Sequence, residues 1–176
     1  MPLIAGPFQV VAGLLLVAGV AKLARPTPTS EVARAAGIPA STGMIRVFAL
    51  AEVAAAVAVL AVGGRVSALA IAILYGVFAG FVLVLRVRDV QTAGCGCFGR
   101  EAEEPPGVLH IAVDVIAATI AVAAIVSPVP DVLGVMAAQP LGGIPYVGFL
   151  VLGVWLATIL LTELPRLAHI AGEAPS

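Results

Sequence analysis

Charge is scarce in this chain: Asp, Glu, Lys and Arg make up 11% of its 176 residues, and the formal net charge is −1. A soluble domain carries about 25% charged residues, so an ordinary water-soluble enzyme is excluded at the outset. The near-zero balance also supplies no basic face for nucleic acid. Aromatic residues reach only 5%, with a single Trp, and there are two His and two Cys. Two cysteines are too few for a secreted disulfide scaffold. A structural zinc centre, which usually takes four Cys/His ligands, is equally short of donors. No G-x-S-x-G, Walker A or H-E-x-x-H pattern occurs, which removes the commonest hydrolase, nucleotide and zinc-protease readings.

What is abundant is apolar: 61% of the residues are hydrophobic, and the mean hydropathy is +1.16. A helix needs about 20 residues to cross a bilayer. Five stretches meet that length, at Leu3–Leu23, Ile45–Val62, Val66–Leu85, Val108–Val126 and Ile144–Leu164. The fold class predicted is all-α, a polytopic membrane helical bundle embedded in the lipid bilayer. The first stretch lacks the positive n-region of a signal peptide and is expected to remain as a span, although Gly19-Val20-Ala21 offers small residues.

The connections differ in character. The first, Arg25 to Gly43, carries Pro26, Pro28 and Pro39. Within it Ser30 is placed to cap a short helix through Ala36, which Gly37 then stops. The second is only Gly63-Gly64-Arg65, so the second and third spans must form an antiparallel hairpin. The fourth, Ser127 to Gly143, is rich in Pro and Gly with Asp131 as its one charge. Gly76 and Gly80 form a G-x-x-x-G spacing, and Ala51, Ala55 and Ala58 lie near one stripe of the second span. Small residues let membrane helices approach closely, and packing within the chain is the expectation for both sets.

Side-chain chemistry is concentrated in the third connection, at Gly94-Cys95-Gly96-Cys97-Phe98-Gly99. Adjacent Cα atoms are about 3.8 Å apart, so an i,i+2 pair falls within the roughly 4.4–6.8 Å that a disulfide spans. A bridge closing so short a loop removes little unfolded-state entropy, which makes stability a poor reason for the pair and redox chemistry a better one. The glycine spacing formally matches the dinucleotide fingerprint, but a membrane span precedes it where a strand is required. Glu101, Glu103 and Glu104 follow as a solvated acidic rim. No cofactor is predicted. Copper(I) on two thiolates stays open, since soft ligands select it, and so does a quinone, with no residue that argues for it.

Polar residues within the spans gather towards the same end. Glu52 lies about seven residues into the second span and Asp114 about six into the fourth. His110 precedes Asp114 by one turn on the same face. A charge inside a span costs several kcal/mol unless it is paired or wetted, so Glu52 and Asp114 are functional candidates. A polar pocket beneath the cysteine loop is expected from Lys22, Glu52, His110 and Asp114. Arg46 is a further candidate, for which snorkelling to the headgroups is the preferred reading. Positive charge there favours thiolate at Cys95 or Cys97, with a carboxylate or His110 handling the proton. The alternative is structural ion pairing. A non-enzymatic carrier or assembly factor, binding a metal or small molecule through the two thiols, is the competing function.

The residues Gly19-Val20-Ala21-Lys22-Leu23, Ala51-Glu52 and Cys95-Gly96-Cys97-Phe98-Gly99 resemble the MauE family of methylamine-utilisation membrane proteins, which is related to the DoxX-like four-helix membrane proteins. The resemblance covers Leu3 to Val126. It implies a four-helix core over residues 1–126, holding the cysteine loop 94–99. Residues 127–176 would add a linker, a fifth transmembrane helix and a short tail. It further implies a redox-associated protein of the bacterial cell membrane. Such a protein would act in methylamine metabolism by forming disulfides in, or exporting, the small subunit of methylamine dehydrogenase beside a thioredoxin-like partner. Cys95 and Cys97 would be the redox pair, with Lys22 and Glu52 as motif residues. Where an arginine is expected in the fourth span, Ala112-Val113-Asp114 stands. A disulfide role implies an outward-facing loop. The count of cations points the other way, because Lys22, Arg25, Arg34, Arg46, Arg86, Arg88, Arg100 and Arg166 share the loop's side against Arg65 opposite.

Overall fold

An apolar segment in lipid must satisfy its backbone groups internally, and each of the five runs does so as a helix. The structure is a computed structural model that describes residues 3–88, 90 and 108–172, with only the backbone for 108 and 164–172. Its spanning helices are α1 (Ala5–Ala24), α3 (Thr42–Ala61), α4 (Gly64–Val87), α5 (Val108–Val126) and α7 (Ile144–Gly172). Two short helices lie between them, α2 (Thr27–Ala35) and α6 (Val132–Ala137), and a 3-10 turn at Pro140–Gly143 leads into α7. No strand occurs among the described residues. All five long helices have the length and apolarity of membrane spans, so the predicted class of polytopic helical bundle is the observed one.

The core forms where α1 packs on α3 and α4 on α5, with α1 also touching α5 and α7. Phe8, Ala12, Leu15, Ala56, Val59, Ala68, Ile71, Ala117 and Ala121 fill its centre. Lipid tails are as apolar as these side chains, so close approach rather than water exclusion drives association. The α1–α3 approach is close at Gly19. A methyl group placed there would lie 2.9 Å from Val53 Cγ2, 3.1 Å from Glu52 Cβ and 3.2 Å from the Ala49 carbonyl oxygen. At the α1–α7 contact the same role falls to Gly13 and Gly153, each meeting a valine of the facing helix.

Two expectations about packing are corrected. Gly76 and Gly80 do not pack within the described chain: both are exposed, and a methyl group on either would meet nothing within 4 Å. Spacing identifies a small-residue face but not what covers it. On α3 the buried residues are Ile45, Ala49, Glu52, Ala55, Ala56 and Val59: Ala55 packs as expected, Ala58 is half-buried and Ala51 is exposed.

The short elements differ from expectation at their ends. The helix expected to start at Ser30 begins at Thr27, because Pro28 supplies a fixed φ in the first turn, where no amide partner is needed. Ser30 is therefore interior, and its hydroxyl donates to the Thr27 carbonyl at 2.8 Å. Gly37 ends α2 as expected. It adopts φ +77°, and the Ile38 and Gly37 amides donate to the Ala33 and Arg34 carbonyls, both at 2.9 Å. That is the Schellman pattern, which needs a left-handed residue at this position. The Pro- and Gly-rich connection after α5 carries a helix of six residues, α6, too short for periodicity to reveal. The α7 helix also runs past the expected Leu164 to Gly172.

At the end of the bundle opposite the third connection, buried polar groups fasten the layers together. Gln9 donates through Nε2 to the Pro130 carbonyl at 3.1 Å and accepts from the Tyr146 hydroxyl at 2.9 Å. The Gly64 amide donates to the Val129 carbonyl at 2.9 Å. These bonds tie α7 and the segment before α6 to α1, and that segment to the hairpin between α3 and α4.

Candidate functional site

Chain direction places the C-terminal ends of α1 and α4 and the N-terminal ends of α3 and α5 at one end of the bundle, the end to which the third connection is attached. The helices do not finish level there. Lys22 lies two residues before the end of α1, whereas its partner Glu52 lies ten residues along α3. The first turns of α3 and the last turns of α4 therefore project past α1. The predicted depth of seven residues for Glu52 is too small because α3 starts at Thr42. Ser41 accepts from the Met44 amide at 3.2 Å and sets that earlier start.

The gap beyond α1 is filled by α2, whose Val32, Ala33 and Ala36 are buried while Glu31, Arg34 and Ala35 face outward. Val32 and Ala36 pack with Leu85, Phe81 and Val90. Ala33 packs with Ala40, Ile45 and Phe81. Arg88, one residue past α4, donates to the Ala36 carbonyl and so binds the C-terminus of α2 to the root of the third connection. This lid holds the polar groups beneath it away from solvent.

Beneath α2, Lys22 Nζ donates to Glu52 Oε1 at 2.6 Å, with side-chain exposures of 1% and 0%. Their near-complete burial makes this a desolvated pair, unlike a surface salt bridge. The ammonium also lies 4.2 Å from the ring centroid of Phe78 and 5.9 Å from that of Phe48. Those rings meet edge to face, with centroids 5.7 Å apart. The negative ring faces supplement the carboxylate in holding the cation. Glu52 Oε2 is buried and has no hydrogen-bond partner among the described residues. Gly19 makes the pairing feasible: without a side chain it lets α3 approach α1 one turn before Lys22.

Lys22 borders two cavities. One, about 40 Å³, is also lined by Tyr75, Phe78, His110 and Asp114. Tyr75 donates to the Val11 carbonyl at 2.8 Å. The other, about 250 Å³, lies under α2 between α3 and α4. A larger cavity of about 700 Å³ runs between α1 and α7, with Gln9 and Thr158 as its polar residues, remote from this cluster.

Of the predicted pocket, Lys22 and Glu52 are in direct contact. His110 and Asp114 share a cavity wall with Lys22. Arg46 is exposed on α3 and does not join them, which is the headgroup role a long cationic side chain adopts. Cys95 and Cys97, with Gly94, Gly96, Phe98 and Gly99, lie outside the described residues. Tyr75, Phe48, Phe78 and Phe81 were not foreseen, although Phe48 stands four residues before Glu52 and so shares its helix face. Three of the eight cations counted on this side serve local structure. Lys22 pairs with Glu52, Arg34 bonds to Ser30 and Arg88 to Ala36. The charge asymmetry is correspondingly weaker as a guide to orientation.

The family described as methylamine utilisation protein MauE matches residues 3–127. No curated protein and no solved structure matches the chain. The matched region takes in α1 to α5 and ends before α6.

Proposed function

This chain is a membrane protein that belongs to the MauE family, and from that premise we propose that it performs thiol–disulfide exchange through Cys95 and Cys97 with a thioredoxin-like partner, in a bacterial cell membrane. The observation that carries the reading is the placing of the chain's only two sulfhydryls in the connection between α4 and α5. That connection joins the end of the bundle where Lys22, Glu52, His110 and Asp114 are gathered.

In the exchange, the thiolate of one cysteine attacks a sulfur of the partner's disulfide. An S–S bond to the partner forms, and the partner's other sulfur leaves as thiolate. The second cysteine then attacks the mixed disulfide, forming the Cys95–Cys97 bond and releasing the partner reduced. Two electrons pass to the partner, and the two thiol protons leave with it or to a base. Attack in the reverse sense oxidises the partner. Methylamine utilisation is the setting that the family's name suggests, and maturation of the small subunit of methylamine dehydrogenase is the role that the resemblance implies within it.

The test is trapping. With Cys97→Ser or Cys95→Ser, the remaining thiol cannot be resolved internally. One of the two variants should accumulate a reductant-sensitive adduct with a thioredoxin-like protein, identified by mass spectrometry. No adduct from either variant in the native host would remove the reading.

A further inference from the structure

The 250 Å³ cavity beneath α2 is not used by the exchange chemistry, and its construction is specific. Its floor is Lys22, and its walls are Phe48, Phe78 and Phe81, with Met44 and Ile38 at its rim. Met44 is 57% exposed, Ile38 40% and Val77, also a lining residue, 49%. Met44 and Val77 lie on helices long and apolar enough to cross a membrane, whose exposed apolar side chains face lipid, so the mouth of the cavity opens towards the bilayer. At about 250 Å³ it lies just under the roughly 300–1,000 Å³ usual for whole-ligand pockets, which suits one ring rather than a complete lipid.

Charge decides what kind of ring. The Lys22 ammonium is balanced by Glu52 at 2.6 Å, and Asp114 adds a further carboxyl in the neighbouring cavity. Among the described lining residues an anionic headgroup would meet no uncompensated positive charge. A neutral acceptor meets an N–H donor at the floor and aromatic faces on the walls. Thr29 is the one other polar residue among the described lining.

We propose that this cavity binds the head of a lipid-soluble quinone, with a ring carbonyl directed to Lys22 Nζ, the ring against Phe48, Phe78 and Phe81, and the tail leaving past Met44 into the bilayer. The binding stands on the cavity alone. The ligand's role rests on the redox reading of Cys95 and Cys97. As their electron acceptor, the quinone takes two electrons and two protons to become quinol, while the two thiols lose them and form one S–S bond. The segment that carries the thiols begins at the end of α4, two turns beyond Phe81.

The experiment uses the full chain in lipid nanodiscs with a photoactivatable short-chain benzoquinone, its adducts mapped by peptide mass spectrometry. Adducts are expected on Met44–Phe48 and Val77–Phe81, suppressed at least fivefold by excess unmodified short-chain benzoquinone. Met44→Trp, a change at an exposed rim position, should lower them at least fivefold by closing the mouth. Lys22→Met combined with Glu52→Met should do the same by removing the donor without leaving an orphan charge. A Cys95→Ser, Cys97→Ser double variant should retain full labelling, because binding does not depend on the thiols. Adducts spread over lipid-facing positions such as Val57, Leu69 and Val122, or unchanged by Met44→Trp, would overturn the proposal. Competition by phosphatidylglycerol but not by benzoquinone would overturn it in favour of an anionic lipid. Failure of the exchange reading alone would appear as intact labelling with no thiol-dependent reduction of the quinone.

Discussion

Replacing Lys22 alone, Glu52 alone and both together separates an ion pair that holds the bundle from one that merely occupies it. The pair lies at 2.6 Å with exposures of 1% and 0%. At an effective dielectric of about 20, that separation corresponds to roughly 6 kcal/mol of direct attraction, most of it cancelled by the cost of removing both charges from water. Removing one partner forfeits the attraction but keeps the other's desolvation cost. Lys22→Met should therefore cost about 3–5 kcal/mol, since it leaves the Glu52 carboxylate buried with no cation. Glu52→Gln should cost less: the amide oxygen can still accept from Lys22, and the Phe78 ring, 4.2 Å away, continues to hold the ammonium. The Lys22→Met, Glu52→Met double variant should recover most of the loss. The assay is reversible unfolding from mixed micelles or nanodiscs by a denaturing detergent, followed by helix content. Two single variants within 1 kcal/mol of the parent, or a double variant as unstable as the sum of the singles, would refute the reasoning.

Gly19→Ala should destabilise the same preparation by about 1–3 kcal/mol, because the new methyl group meets the Ala49 carbonyl oxygen at 3.2 Å as well as two side chains. Gly76→Ala, where nothing lies within 4 Å, should be neutral or stabilising by up to about 1 kcal/mol, from helix propensity. Arg88→Ala removes the donor to the Ala36 carbonyl; amide exchange at Ala36, Gly37 and Ile38 should rise several-fold while the interior of α3 is unchanged. Gln9→Leu severs the links to Pro130 and Tyr146 and should loosen α6 and α7, read as faster exchange there, with the Lys22–Glu52 end unaffected.

The spans were legible because lipid imposes a crude requirement, about 20 apolar residues in a row, that composition alone meets. Boundaries were less so. Ser30 resembles a cap, but Pro26 and Pro28 upstream can begin a helix on their own, and they do. Glu52 and Asp114 stood out because a charge within a span needs a partner, and the partner of Glu52 is Lys22. The immediate contact of Lys22 with Glu52 was not readable, since it depends on Gly19 and on α3 overrunning α1. The aromatic walls were hidden for a different reason. Phe in a membrane helix is unremarkable by composition, and Phe78 and Phe81 acquire meaning only when α2 folds over them. Gly76 and Gly80 show the converse, a conspicuous spacing that the described chain leaves facing outward.

The account depends most on whether Cys95 and Cys97 form and break a bond as a unit. The direct measurement equilibrates the membrane-embedded protein across a series of thiol–disulfide buffers, quenches it with acid, and tags free thiols with a maleimide of added mass. The predicted result is two populations, untagged and doubly tagged, that exchange at a single midpoint with the slope of a two-electron couple. Protein that stays doubly tagged at every poise, or that accumulates a singly tagged form, would contradict it.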